Sequence, residues 1–167
     1  PFKDERIAKK AKRSIEKSRL VLVRDRLSLD YVKAHTKQLN LKELIDIAFF
    51  MPFSKKEFKN GKINVGLNIS SLLWHGGYTK NNQFGFQVDY PKLTRRVVDF
   101  FLEYPEVQLY LVPHVVGSFS NIENDYEVSR YIQDEYDSDR VSLAPFFLNP
   151  IEAKNFISGL DFFAGAR

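Results

Sequence analysis

Residues 62–71, KINVGLNISS, followed by LLWHGGYTKNNQFGF at 72–86, decide the fold. A short apolar run with β-branched Ile63 and Val65 ends in Asn68 and small polar residues. A loop rich in glycine and asparagine comes next, and then a long amphipathic segment. That order reads as the first strand of an open α/β domain, with its polar loop at the carboxyl end, where such sheets bind ligands.

Downstream the same step repeats. A helix is expected at about 90–104, where Leu93, Val97, Phe100, Phe101 and Tyr104 share one face and Pro91 sits in the first turn. VQLYLVP (107–113) is the second strand, followed by a loop and a helix at 124–136. RVSLA (140–144) is the third strand, Asn149 caps a helix at 150–158, and LDFFAG (160–165) is the fourth. Strands alternating with helices predict a parallel βαβ domain, Rossmann-like, with helices on both faces of the sheet.

Upstream, residues 3–18 read as a helix with a thin apolar stripe (Ile7, Ala8, Ala11, Ile15), and LVLV at 20–23 as a short buried strand. A second helix runs from about Leu27 to Ala34, capped by Asp25 or Ser28. Residues 36–61 read as connecting chain, with AFFMPF (48–53) a short strand or packed crossover and Asn60-Gly61 a turn. The expected organisation is the end of an N-terminal α/β domain at 1–45, a linker at 46–61 and a C-terminal Rossmann-like domain at 62–167. The first residue is Pro, and the fourth strand is followed by only two residues, so a fragment cut at both ends is expected.

Composition narrows the class. Apolar residues make up 44% of the 167 and aromatics 14%, enough for a buried core. The absence of cysteine excludes disulfides and thiolate metal sites and, with no secretion signal or membrane-length apolar run, points to the cytoplasm. The net charge of +4 is uneven: residues 1–42 hold 13 Lys/Arg against 5 Asp/Glu. Such a segment is a solvated helix face, or faces a phosphorylated small molecule or acidic lipid headgroups at the inner face of a membrane. Aromatic residues fall on core periodicities and do not interleave with the basic ones, which argues against nucleic acid.

Four strand ends collect polar residues. The first carries Asn68, Ser70 and Ser71 with Trp74, His75, Gly76, Gly77 and Tyr78. The second carries His114, with Ser118, Ser120 and Asp125 behind it; the third is Gly165-Ala166-Arg167 and the fourth, upstream, Arg24-Asp25. They supply imidazoles for proton transfer, arginines for an anion, and hydroxyls and amides for sugar-like hydrogen bonding. Each has a plainer reading: His114 as a satisfied loop histidine, His75 as a structural neighbour of Trp74 and Tyr78, Arg24-Asp25 as an ordinary salt-bridged strand exit. No GxGxxG, P-loop, GxSxG or metal-ligand spacing is present, so no metal and no bound cofactor are expected.

LVLVRDRLSLDYV, INVGLNISSLLWHGGYTKNNQFGF, LYLVPHVVG with ENDYEV, and VSLAPFFLNPIEAKNFISGLDFFAGAR, in that order, resemble the polysaccharide pyruvyl transferase family over nearly the whole chain. In that family the last element continues as G-x-R-x-H, whose histidine would lie two residues past Arg167. The resemblance implies a two-domain architecture like that of GT-B glycosyltransferases, with the active site in the cleft between domains. It implies transfer of an enolpyruvyl unit from phosphoenolpyruvate to two hydroxyls of a sugar or lipid-linked glycan, giving a pyruvate ketal and phosphate. His114 and Arg167 are then expected as catalytic residues, and Arg24, Asp25, Asn68, Ser70, His75, Asp125 and Gly165 as substrate-binding. The competing readings are a GT-B glycosyltransferase using a nucleotide sugar and a non-catalytic scaffold of polysaccharide assembly.

Overall fold

The run INVGLN forms a strand because its alternate side chains have two apolar surfaces to enter. In the computed structural model, which describes residues 4–117 and 121–166, it is β3 (Ile63–Asn68), and every residue from Asn64 onward is buried. Burial on both faces is the mark of a central strand in a parallel sheet. β3 lies between β4 (Val107–Leu111) and β6 (Phe162–Gly165), and β5 (Val141–Leu143) pairs with the outer side of β4. All these pairings are parallel, in the order β5-β4-β3-β6. The second half of the chain is thus α/β with a parallel, Rossmann-like sheet.

The strand order has one reversal. From β3 the sheet grows through β4 to β5, and then β6 returns to the other side of β3. A reversal of this kind opens a crevice at the carboxyl ends of the two strands that flank it. Those strands are β3 and β6, and Asn68 and Gly165 are register partners there.

The helices divide between the faces accordingly. α4 (Tyr90–Leu102) and α5 (Asp125–Tyr136) bury Val98, Val128 and Ile132 against Val65, Leu67, Val107, Leu109, Leu111 and Val141. On the other face, α6 (Pro150–Ile157) sets Phe156 against Val112 and Ala144, with Tyr110 and Phe58 around it. Each of these fully buried aliphatic or aromatic side chains contributes about 1.5–3 kcal/mol of transfer free energy. Gly66 is required by this second face: a Cβ there would lie 2.5 Å from Leu160 Cδ1 and 2.6 Å from the Phe163 ring. Helix entry points follow the sequence: Asp89 caps α4 with Pro91 in its first turn, Asn124 caps α5, and Asn149 caps α6 with Pro150 at its first position.

The chain separates into two compact units, Pro1–Pro52 and Phe53–Arg167. The first contains α1 (Glu5–Lys17), β1 (Val21–Val23), α2 (Arg26–His35) and β2 (Leu41–Glu43). β2 corrects the expectation of connecting chain over 36–61: Leu41–Glu43 pairs in parallel with Val21–Val23. Its sequence, LKE, has no apolar alternation to signal a strand, and its middle and last residues are exposed. β1 is not the buried strand expected, since Leu22 is 47% exposed. Ile47–Phe50 is a 3-10 turn capped by Asp46, and not the strand considered for 48–53. In the second unit, the expected loop after β3 begins with one helical turn, α3 (Ser71–Trp74).

Candidate active site

The most heavily bonded polar group at the strand ends is the Asp125 carboxylate. Asp125 opens α5 and is fully buried. Its Oδ1 accepts from the backbone N–H of Ser71 at 2.8 Å. Its Oδ2 accepts from the backbone N–H groups of Val115 at 2.9 Å and His114 at 3.2 Å, and from Asn68 Nδ2 at 3.5 Å. One carboxylate therefore ties the loop after β3, the loop after β4 and the start of α5 together. A buried anion is expensive unless hydrogen-bonded, and here several N–H donors and the positive end of the α5 dipole offset that cost.

This arrangement presents the His114 side chain outward. Its backbone is held by Asp125, while its imidazole is exposed and makes no hydrogen bond among the described residues. The group is therefore available for proton transfer or for an oxyanion.

Asn68, 3% exposed, shares the Asp125 carboxylate with the His114 backbone. Its Nδ2 donates to the Val112 carbonyl at 3.1 Å and to Asp125 Oδ2. Both partners only accept, which fixes the amide orientation and leaves Oδ1 as the remaining acceptor. That oxygen is buried and has no partner among the described residues. It lies on the β6 side, because a Cβ on Gly165 would come within 2.9 Å of Asn68 Cβ and 3.5 Å of Oδ1. A buried, unpaired acceptor at the sheet's reversal point, packed against Gly165, is left for a donor that the described residues do not supply.

The other expected site residues are placed as follows. Ser70 is not presented to a ligand: it is 2% exposed, its hydroxyl caps α3 through Leu73 N, and its own N–H donates to Tyr90 Oη at 3.0 Å. His75 closes α3 and is exposed; it is not among the partners of Asp125 and lines a pocket of about 460 Å³ among α3, α4 and α5. Arg167, Ser118 and Ser120 lie outside the described residues. Tyr78, in the loop after α3, is hydrogen-bonded through its hydroxyl to Glu123, which joins that loop to the one leading into α5.

In the first unit, Arg24 and Asp25 follow β1. Asp25 caps α2: its Oδ1 accepts from Ser28 N and its Oδ2 from the Ser28 hydroxyl, both at 2.8 Å. Those bonds, the backbone one first, hold its pKa below the usual carboxylate value. Arg24 pairs with Asp46 at 2.6 Å, beside a cavity of about 280 Å³ at the carboxyl ends of β1 and β2. The Asp46 pKa is lowered by Ala48 N–H and then by Arg24. Asp25 is thus committed to its own helix, whereas Arg24, 73% exposed, keeps most of its N–H donors for another anion.

Three residues of the α3–α4–α5 pocket were not singled out from the sequence: Arg95, Glu127 and Tyr131. Arg95 and Glu127 lie on helix faces that periodicity marks only as outward, and Tyr131 reads with Val128 and Ile132 as part of the apolar periodicity of its helix, although it is exposed. Arg95 and Glu135 form a bidentate pair, Nε–Oε1 at 2.7 Å and NH2–Oε2 at 3.0 Å, which raises the arginine pKa and lowers that of the glutamate. Among the described residues there is no cluster of histidine and carboxylate side chains able to hold a metal ion, and no helix is long and apolar enough to cross a membrane.

No curated protein and no solved structure matches the chain. The family model described as "Polysaccharide pyruvyl transferase" matches residues 1–167, the whole length. The chain therefore belongs to the polysaccharide pyruvyl transferase family.

Proposed function

We propose that the protein transfers a pyruvyl group from phosphoenolpyruvate to a sugar of a polysaccharide or its precursor, forming a pyruvate ketal and releasing phosphate. The family membership supports a transferase with a glycan acceptor. The observation that carries the finer reading is the buried Asp125 carboxylate, which holds the His114 backbone and the Asn68 amide together while the imidazole stays exposed and Asn68 Oδ1 stays unpaired among the described residues. An exposed imidazole able to move a proton, and an acceptor for a sugar hydroxyl tied to the same carboxylate, suit an addition to an enol phosphate.

The reaction assigns work to each group. A proton is delivered to the donor's methylene carbon, which becomes the methyl group, and the adjacent carbon takes the positive charge. One sugar hydroxyl adds to that carbon, phosphate departs with its bridging oxygen, and the second hydroxyl closes the ketal. The two hydroxyl protons end on the methyl group and the phosphate. His114 carries the proton transfer, Asn68 Oδ1 accepts from a reacting hydroxyl, and Arg24 and Arg167 neutralise the donor's phosphate and carboxylate. Asp25 serves by holding the helix that follows Arg24, and Asp125 by holding the His114 loop. The architecture proposed is GT-B-like, with two domains, and the reaction needs no bound cofactor.

The test is to supply full-length protein with phosphoenolpyruvate and a panel of glycans, following free phosphate and the mass of the acceptor. The expected product has gained one pyruvic acid less one water, in step with phosphate. Transfer from a uridine or guanosine diphosphate sugar, with no turnover of phosphoenolpyruvate, would replace this reading by that of a glycosyltransferase.

A further inference from the structure

The pocket among α3, α4 and α5 is separate from the His114–Asn68 cluster, and its chemistry differs. Its walls include the exposed phenol ring of Tyr131 and the indole of Trp74, edge to face with centroids 6.0 Å apart. The Arg95 guanidinium covers Trp74 at 5.1 Å from the ring centroid and is itself engaged by Glu135 and the Pro91 carbonyl. Its charge is therefore spent inside the fold. The polar groups left at the rim are the Glu127 carboxylate and the His75 imidazole, neither of which has a hydrogen-bond partner among the described residues.

That charge count selects the ligand. With Arg95 neutralised by Glu135, the remaining formal charge in the pocket is the negative one of Glu127. An anion such as phosphoenolpyruvate or a nucleoside diphosphate is repelled, and desolvating Glu127 against it would be costly. A neutral polyhydroxyl ring fits on both counts. Its apolar C–H face packs on an aromatic ring, while its hydroxyls donate to a carboxylate and exchange hydrogen bonds with an imidazole. A cavity of about 460 Å³ lies in the size range of small-molecule sites.

Position joins this pocket to the reaction. α3 begins at Ser71, whose N–H is bound to Asp125, and Trp74 is one turn further on. α5 begins at Asp125 itself, and Glu127 and Tyr131 follow within two turns, roughly 3 and 9 Å along the helix axis. Two of the pocket's three walls, α3 and α5, thus spring from the same carboxylate that holds His114.

We infer that the Trp74–Tyr131 pocket is a saccharide subsite, taking an uncharged pyranose of the acceptor glycan next to the unit that receives pyruvate. The inference rests on the proposed glycan acceptor, but its binding readout is independent of pyruvyl transfer. Trp74 is the one tryptophan among the 167 residues, so it reports on its own site.

The experiment titrates full-length protein, without phosphoenolpyruvate, with methyl glycosides of glucose, galactose, mannose and N-acetylglucosamine and with their disaccharides. The signal from position 74 is isolated by comparison with Trp74→Phe. A saturable change in Trp74 emission is expected with at least one sugar. Tyr131→Ala should weaken that binding about tenfold or more, while Tyr131→Phe, which keeps the ring, retains most of it. In turnover, Tyr131→Ala should raise the acceptor KM with the phosphoenolpyruvate KM within about twofold of the parent. A silent Trp74 across the panel, or an acceptor KM unchanged in Tyr131→Ala, overturns the subsite. If sugars bind at Trp74 but no phosphate is released with any acceptor, the subsite stands and the pyruvyl reading fails; if phosphate release depends on acceptor while Trp74 and Tyr131→Ala are silent, the reverse holds.

Discussion

Asp25 and Asp125 occupy the same kind of position, an acidic residue where a parallel strand's loop enters a helix, yet they do different work. Asp25 is exposed, and its carboxylate is bonded to Ser28, three residues on in its own helix. Asp125 is fully buried, and its partners are 10 to 57 residues away, on three other segments. A helix cap closes locally and tolerates replacement; a buried acceptor shared by several backbone donors holds a site together. What separates them is the burial of the donors, since a lost bond at the surface is remade with water and a lost bond inside is not.

The contrast can be broken most directly by deleting each side chain. Asp125→Ala leaves the Ser71, His114 and Val115 N–H groups without their acceptor, and should destabilise the second unit by about 3–5 kcal/mol in urea unfolding, at 1–3 kcal/mol per unsatisfied buried group less relaxation. Asp125→Asn, which keeps one carbonyl oxygen, should lose distinctly less. Asp25→Ala should shift the unfolding midpoint by a small fraction of the Asp125→Ala shift. Equal effects would remove the distinction.

Next in size is Gly165→Ala. Its Cβ would sit 2.9 Å from Asn68 Cβ, so it should cost about 1–3 kcal/mol by overpacking. Transferase activity should fall further than stability, because the new methyl displaces the Asn68 side chain whose Oδ1 is proposed to meet the acceptor. Loss of stability with unchanged specific activity of the folded fraction would show that Oδ1 has no part in the reaction.

A smaller effect should appear at acid pH. The Glu135 carboxyl is held below its ordinary value, first by its hydrogen bond to Arg95. A depressed carboxylate contributes stability that is present above its unfolded pKa of about 4.3 and is lost as pH falls through the folded value. Glu135→Gln should therefore flatten the acid limb of the stability curve below about pH 4.5 and leave its slope at pH 7 unchanged. An acid limb with the same slope in both proteins would remove Glu135 from the account.

How far these features could be read in advance follows their range in sequence. The strands at 63–68 and 107–111 and the presence of helices after them were legible from apolar periodicity, and Asn68, His114 and Gly165 from standing at strand ends; the face of α4 was not, since Leu93, Phe100 and Tyr104 are exposed and Thr94 and Val98 are the residues it buries. β2 was not, because LKE carries no alternation and is a strand only through its pairing with β1. Ser70 looked available from its place after β3 but is used up as a cap, an outcome fixed by how tightly α3 turns. Asp125 could be placed behind His114, but its bond to Ser71, 54 residues away, could not be foreseen. The Arg95–Glu135 pair and the Trp74–Tyr131 contact join separate helices, and nothing local marks them.

The account turns on His114, whose backbone is fixed by Asp125 and whose ring is free. The measurement that tests it is phosphate release from phosphoenolpyruvate by full-length His114→Ala, with a glycan acceptor that the parent protein uses. Because the ring is exposed and without a partner among the described residues, the thermal midpoint should match the parent's, to within about 0.5 kcal/mol of stability. Activity should fall by about 10²-fold or more, the usual worth of a positioned proton-transfer group. A folded His114→Ala protein that releases phosphate at the parent's rate would contradict it.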